Sequence, residues 1–231
     1  EALDRDDARI HEWAERNIGY EGVQQFGDVD DTVEKSPHVV ENSFYSSYTH
    51  CGFLEPQSTL ADYNTGTGLL TVYTCNQLPH YLQQTIARTI DHPMEKIRIV
   101  VPTVGGAFGG KTEATPSCLV ACLLSRKLGR PVKITYTREE VFFQNKGRHP
   151  AHMRMKMGFD AEGRITALDF DCLLDGGGHS SWGFVVMWFI AALTHLPYKL
   201  PVVRYRGRRV YTNKPTPGAQ RCLGGVQVRI A

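Results

Sequence analysis

Gly105-Gly106-Ala107-Phe108-Gly109-Gly110-Lys111-Thr112 is the stretch on which the reading of this chain turns. A β-rich run, Ile97–Val101, precedes it. A helical pattern follows, with Thr115 as N-cap, Pro116 in the first turn, Gly129 past the end and Pro131 as the stop. Strand, glycine-dense bend and helix in that order form the local grammar of an α/β unit. Glycines at such a bend let backbone N–H groups approach an anion, and the helix N-terminus adds positive potential. The plain alternative is a tight turn that needs glycine dihedrals and binds nothing.

Residues 105–112 also satisfy G-x-x-x-x-G-K-[ST], the phosphate-cradling pattern of P-loop nucleotidases. Taken alone, that match weighs nucleotidase and plain turn about equally. Two features count against the nucleotidase. The helix opens at Thr115-Pro116, too late for Lys111 and Thr112 to begin it as that motif requires. No downstream strand reads as a continuous apolar run ending in Asp, since Ile165–Asp171 alternates and carries two acids.

Upstream, three strand-like runs, Val39–Tyr48, Ser58–Tyr63 and Leu69–Thr74, are expected, the last two joined as a hairpin by Asn64-Thr65-Gly66-Thr67-Gly68. Leu78, Tyr81, Leu82, Ile86 and Ile90 then share one helical face behind Pro79. Downstream, Val132–Thr137 reads as a strand, and Met153–Phe159 with Ile165–Leu174 as a second hairpin around Asp160-Ala161-Glu162-Gly163. An apolar helix near Phe184–Thr194 and a last strand, Val202–Thr212, complete the set. Residues 1 to about 35 are polar, with a short helix expected around Ala8–Arg16. The organisation expected is a lead-in segment, 1–26, followed by one domain, 27–231. The class is α/β (α+β) with a mixed β-sheet and packed helices.

The 231 residues suffice for a sizeable core without staples. A net charge of +2 gives no ground for a nucleic-acid or anionic-membrane partner. The longest apolar run, Phe184–Leu193, is half of what a bilayer needs, so no membrane span is expected. Six scattered cysteines without a CxxC pair or zinc spacing favour a reduced, cytoplasmic setting, with Cys118 and Cys122 packed on one helix face. The charged start without Met and the apolar end read as the middle of something longer.

Four segments then occur in a fixed order: Thr74-Cys75-Asn76-Gln77-Leu78-Pro79-His80-Tyr81, the glycine stretch through Lys111, Gly147-Arg148-His149-Pro150, and Asn213-Lys214-Pro215 followed by Gly218-Ala219-Gln220-Arg221. Together they resemble the molybdopterin-binding large subunit of the xanthine dehydrogenase and aldehyde oxidase family, in its first molybdopterin-binding domain. Thr112-Glu113 and Leu78–Tyr81 look closest to the 4-hydroxybenzoyl-CoA reductase branch.

The resemblance implies a molybdopterin cofactor with molybdenum, its nucleotide form left open. The metal would be held through the pterin dithiolene and not by a side chain of this chain. Gln77 would hydrogen-bond an oxo ligand of molybdenum, its neutral amide acting as donor. Gly106, Ala107, Phe108 and Gly109 would lie against the cofactor, with Phe108 and Gly109 offering N–H groups. Arg221 would sit by the pterin. On their own, Gln77 reads as a solvated helix-start residue, Phe108 as a core aromatic and Arg221 as a surface arginine. Expected partners are the remaining part of the large subunit, a 2Fe-2S iron–sulfur subunit, an FAD subunit and a small aromatic, aldehyde or acyl-CoA substrate.

Family members hydroxylate a carbon with oxygen from water, aided by a glutamate base near the far end of the subunit. The coenzyme-A branch works in reverse, removing a phenolic hydroxyl. The competing readings are the P-loop nucleotidase on residues 105–112 and a non-catalytic module of the same fold. Arg221-Cys222-Leu223-Gly224 departs from the family's Arg-Gly-Phe-Gly, removing an aromatic that borders the substrate. Glu55 and Glu113 are expected in local polar or structural roles, as are His80 and His149.

Overall fold

A computed structural model describes residues 2–5 and 7–231 and divides the chain into two compact units. His50–Lys146 forms one; the residues up to Thr49 together with Gly147–Ala231 form the other. The single domain expected over 27–231 is thus two units, one inserted in the other.

The inserted unit is built from β3 (Ser58–Tyr63), β4 (Leu70–Thr74), α2 (Pro79–Ile90), β5 (Ile97–Val100), α3 (Pro116–Leu128), β6 (Val132–Thr135) and α4 (Arg138–Gln144). Its sheet runs β5-β4-β3-β6, with β4 and β5 parallel and the other pairs antiparallel. The parallel pair follows from the connection, because a strand that returns through a helix can lie parallel to the first. Leu82, Ile86 and Ile90 of α2 and Cys118, Ala121 and Cys122 of α3 bury one core with Ala61, Leu70, Val72 and Ile97. Helix α3 begins and ends as its sequence dictates. The Thr115 side chain accepts the Cys118 N–H, and Gly129 closes the helix in the left-handed region at φ 64°.

The other unit carries β1 (Ile18–Phe26), α1 (Val29–Lys35), β2 (His38–Ser46), β7 (Ala151–Phe159), β8 (Ile165–Asp175), α5 (Gly183–Leu193), β9 (Val202–Val210) and α6 (Gly225–Ile230). Its sheet runs β1-β9-β8-β7-β2, parallel only between β8 and β9. Helix α5 covers one face through Val186, Met187 and Ile190, packed on Phe170, Cys172 and Tyr205. On the other face Arg204 and Arg206 of β9 alternate with Asp169 and Asp171 of β8 in paired salt bridges.

The lead-in assigned to 1–26 is corrected here. From Ile18 it is an edge strand of the five-stranded sheet, in register with β9. Glu21, Gln24 and Gln25 are exposed and conceal the strand, because an edge with a solvated face shows little apolar alternation. No α-helix forms over Ala8–Arg16; a short 3-10 turn, Glu15–Asn17, stands at its end. No helix among the described residues is long and apolar enough to cross a membrane. The six cysteines are all free.

Candidate functional site

The bend between β5 and α3 lies inside the inserted unit, and so does the end of β4 that leads into α2. Asn76 sets that entrance: its Oδ1 accepts the Leu78 N–H at 2.7 Å, which turns the chain into Pro79 and the first turn of α2. Gln77 is joined to the bend through both backbone and side chain. Its own N–H donates to Lys111 O at 2.8 Å, while its Oε1 accepts the N–H groups of Gly109 at 3.0 Å and Lys111 at 3.3 Å. Two converging donors identify the atom between them as the amide oxygen. The Nε2 end is therefore the end left over, and it has no partner among the described residues. Gln77 is exposed.

The glycines are needed for this shape. Gly109 has φ +99°, a region that side chains rarely adopt, and a Cβ on Gly110 would meet the Phe53 ring at 2.8 Å. Phe108, just before them, also has positive φ, +52°, an unfavourable choice for a bulky residue. Its ring is 49% exposed, so the expectation of a core aromatic is corrected. Ala107 is buried and anchors the bend, closing a turn in which its carbonyl accepts the Gly110 N–H at 2.8 Å. The Phe108 N–H has no partner among the described residues. The Gly109 N–H, expected to be offered outward, is instead committed to Gln77, because that donor is what fixes the amide.

Beneath the bend sits a polar knot that the sequence did not reveal. Lys111 is fully buried, and its Nζ donates to Glu55 Oε2 at 2.6 Å and lies 4.7 Å from the Phe53 ring centre. The same Glu55 oxygen accepts the Gly105 N–H at 2.9 Å, and Glu55 Oε1 accepts the Cys75 thiol at 3.0 Å. Partial burial alone would raise the Glu55 pKa, but the Lys111, Cys75 and Gly105 donors hold it below the usual carboxylate value. The Cys75 thiol moves the other way, to about 11, through desolvation and the adjoining carboxylate. Helix α4 braces the arrangement at both ends. Arg138 donates to Phe53 O at 2.8 Å and to Leu54 O, and Asn145 donates to Gly110 O at 2.7 Å. Glu113 is engaged by Lys146, as its expected structural role requires. His80 is exposed on the first turn of α2.

Arg221 belongs to the other unit. Its side chain is exposed and makes no bond among the described residues, while its carbonyl accepts from Arg148 Nη2 at 2.7 Å. Buried Arg148 also reaches Cys222 O at 3.3 Å and Gln227 Oε1 at 3.4 Å, so the Gly147–Pro150 segment holds the 221–222 turn. Cys222, standing where the resembling family has glycine, takes φ +57°.

The family model for the molybdopterin cofactor-binding domain matches residues 10–231. The chain belongs to that family. It is 34% identical over 229 residues to the nicotinate dehydrogenase large molybdopterin subunit of Eubacterium barkeri, covering 99% of this chain and 53% of that one. It is 30% identical over 201 residues to aldehyde oxidase 2 of Cavia porcellus, covering 87% of this chain and 15% of that protein. The solved aldehyde oxidoreductase of Desulfovibrio gigas superposes with a TM-score of 0.91 at 25% identity, over 98% of this chain and 25% of that chain. The chain thus spans about half the length of the first relative and far less of the others. The expected kinship with the xanthine dehydrogenase and aldehyde oxidase large subunits, and the mixed-sheet class, both hold.

The bend fits such a cofactor as this family binds. It presents an uncommitted Gln77 Nε2 donor and an uncommitted Phe108 N–H on a backbone stripped of side chains by glycine, which suits an oxygen- or sulfur-rich group. The P-loop reading does not survive. Lys111, which would have to face a phosphate, is fully buried and neutralised by Glu55, and the Thr112 hydroxyl donates to Gly109 O at 2.9 Å. The features likened to the coenzyme-A reductase branch also have local explanations: Glu113 pairs with Lys146, and Leu78–Tyr81 forms the start of α2.

Proposed function

We propose that this chain is part of the catalytic subunit of a molybdenum–pterin oxidoreductase and contributes Gln77 and the 106–109 bend to its cofactor site, with Arg221 a separate candidate contact to the pterin. The observation that carries the reading is the fixed orientation of Gln77. An amide whose oxygen is held by two backbone donors presents only N–H outward, without any charge that would neutralise a nearby base. Such a group steadies an oxygen of the bound cofactor. The Phe108 N–H adds a second donor on the same bend, and the Arg221 guanidinium supplies a planar cation for an anionic or flat portion of the pterin.

When bound, the molybdenum group would supply two-electron chemistry at a carbon of a small aromatic or aldehyde substrate, with oxygen drawn from water. The other direction, dehydroxylation of an aromatic acyl-CoA, is the alternative that the sequence likeness raised, and a substrate screen separates the two. None of the residues named here is placed to act as the proton-accepting base, a role worth about 10²–10⁴-fold in such reactions. The base, the rest of the pterin grip, and the 2Fe-2S and FAD groups that carry electrons away would come from other polypeptide.

Metal analysis and a dye-reduction screen on the assembled multi-chain enzyme, beside the isolated chain, test the proposal. Near-stoichiometric molybdenum in the assembly, turnover lowered by Gln77→Ala with the metal retained through the pterin, and negligible metal and turnover in the isolated chain are expected. Robust turnover by the chain alone, or no molybdenum in the assembly, would refute it.

A further inference from the structure

We infer that the buried Lys111–Glu55 pair is a positioning device that decides which end of the Gln77 amide faces outward. The inference rests on the reading of Gln77 as a contact to the bound group and extends it to what makes that contact a donor. The amide's two ends are nearly identical in shape, so their orientation is set only by what lies behind them. Behind Gln77 lie the N–H groups of Gly109 and Lys111.

Lys111 is where the two halves of the arrangement meet. Its backbone N–H holds Gln77 Oε1, and its carbonyl takes the Gln77 N–H at 2.8 Å. Its side chain runs the other way, into the interior, to Glu55 at 2.6 Å. That single carboxylate also clasps Gly105, at the opposite end of the bend, and Cys75, two residues before Gln77. One buried group therefore ties the start of the bend, its end and the strand terminus that carries Gln77. Loosening the clasp lets residues 109 and 111 withdraw their N–H groups, and the amide is then free to turn its oxygen outward. An outward oxygen would repel the oxygen atoms that an outward N–H attracts. The pair thus gives the site its preference for an acceptor ligand, although neither side chain faces that ligand.

The test uses the full chain without cofactor, so its result is independent of whether molybdenum binds there. Amide hydrogen exchange at Gly109 and Lys111 and the side-chain amide NMR signals of Gln77 are compared in wild type, Lys111→Arg, Glu55→Gln and the double variant E55Q/K111M. Removing both charges together avoids a stranded buried ion, so the double variant is expected to recover most of the melting temperature lost by either single change. It is nevertheless expected to exchange Gly109 and Lys111 about fivefold faster or more, the factor one hydrogen bond gives, with averaged Gln77 signals. Lys111→Arg keeps the charge and is expected to retain native protection. Native protection and native Gln77 signals in the double variant would overturn the inference and leave the pair a stability element. Should the double variant fail to fold, the isosteric Glu55→Gln is measured in its place: faster exchange with averaged Gln77 signals supports the inference, and native behaviour overturns it.

Discussion

Replacing Lys111 with methionine separates the cofactor-site reading from the nucleotide-site reading most sharply. Removing one partner of a buried ion pair typically costs about 3–5 kcal/mol, mostly from the charge left behind. Two features reduce that figure here. The Glu55 side chain remains 32% exposed, so water takes up part of the stranded charge. Methionine refills most of the buried stem against Phe53. A net loss of about 2 kcal/mol remains, and the Gly105 and Cys75 donors still supply Glu55 with partners. For a unit of roughly 100 residues each kcal/mol moves Tm by about 4–8 °C, so the transition of the inserted unit is expected to fall by about 8–16 °C. Scanning calorimetry of the full chain reads it directly, with ATP binding measured in parallel. A Tm within about 2 °C of wild type together with abolished ATP binding would refute the reasoning and restore the phosphate-binding lysine.

Cys222→Gly should stabilise the other unit. A non-glycine residue in the left-handed region costs about 1–2 kcal/mol, and glycine returns about 0.5–1 through its freer unfolded chain. A net gain of about 0.5–1 kcal/mol in chemical denaturation is expected, and a loss would show that the Cys222 side chain contributes more than its backbone costs. Acidification should destabilise both units. Burial would raise the Asp171 and Asp175 pKa values, but Arg206 and Arg154 around the first and Lys214 and Thr212 around the second hold them below normal, as happens at Glu55. A carboxylate depressed in the folded state adds stability that is complete above its unfolded pKa, near 4, and that fades as pH falls through the folded value. These carboxylates should therefore leave denaturant midpoints unchanged from pH 7 to about 5 and pull them down below about 4. His50, whose imidazole is held below its usual value by burial, adds a shallower decline of the inserted unit from about pH 6.5 downward. A midpoint that rises on acidification would contradict the assignment.

Much of this architecture could be read from the chain itself, where signals were local and strong. Thr115-Pro116 and Gly129 marked α3 because capping is chemistry within one turn. The alternation of Met153, Met155 and Met157 with charged residues marked β7 because one face meets α5 and the other meets solvent. Gln77 and the glycine bend were identifiable together only through the ordered segments, since 32 positions of sequence separate Gln77 from Gly109, whose N–H it accepts. Other features escaped, and three of them show why. Strand β1 is an edge with a solvated face, so it lacked the expected pattern. Helix α4 was missed although Thr137 and Glu140 form a capping box, a signal that was there to be read. Glu55 and Lys111 were weighed separately, because nothing in either neighbourhood shows that a lysine next to glycine will turn inward. Their pairing is a tertiary event across 56 positions, visible only once the bend is closed.

The central claim is that the Gln77 amide N–H and the 106–109 backbone face the molybdenum group. Anomalous diffraction at the molybdenum edge, from crystals of the assembled enzyme, locates that metal directly. The account predicts a metal whose oxygen lies within hydrogen-bond reach of Gln77 Nε2, about 2.7–3.2 Å. A metal seated elsewhere, with Gln77 Nε2 open to bulk water, would contradict it.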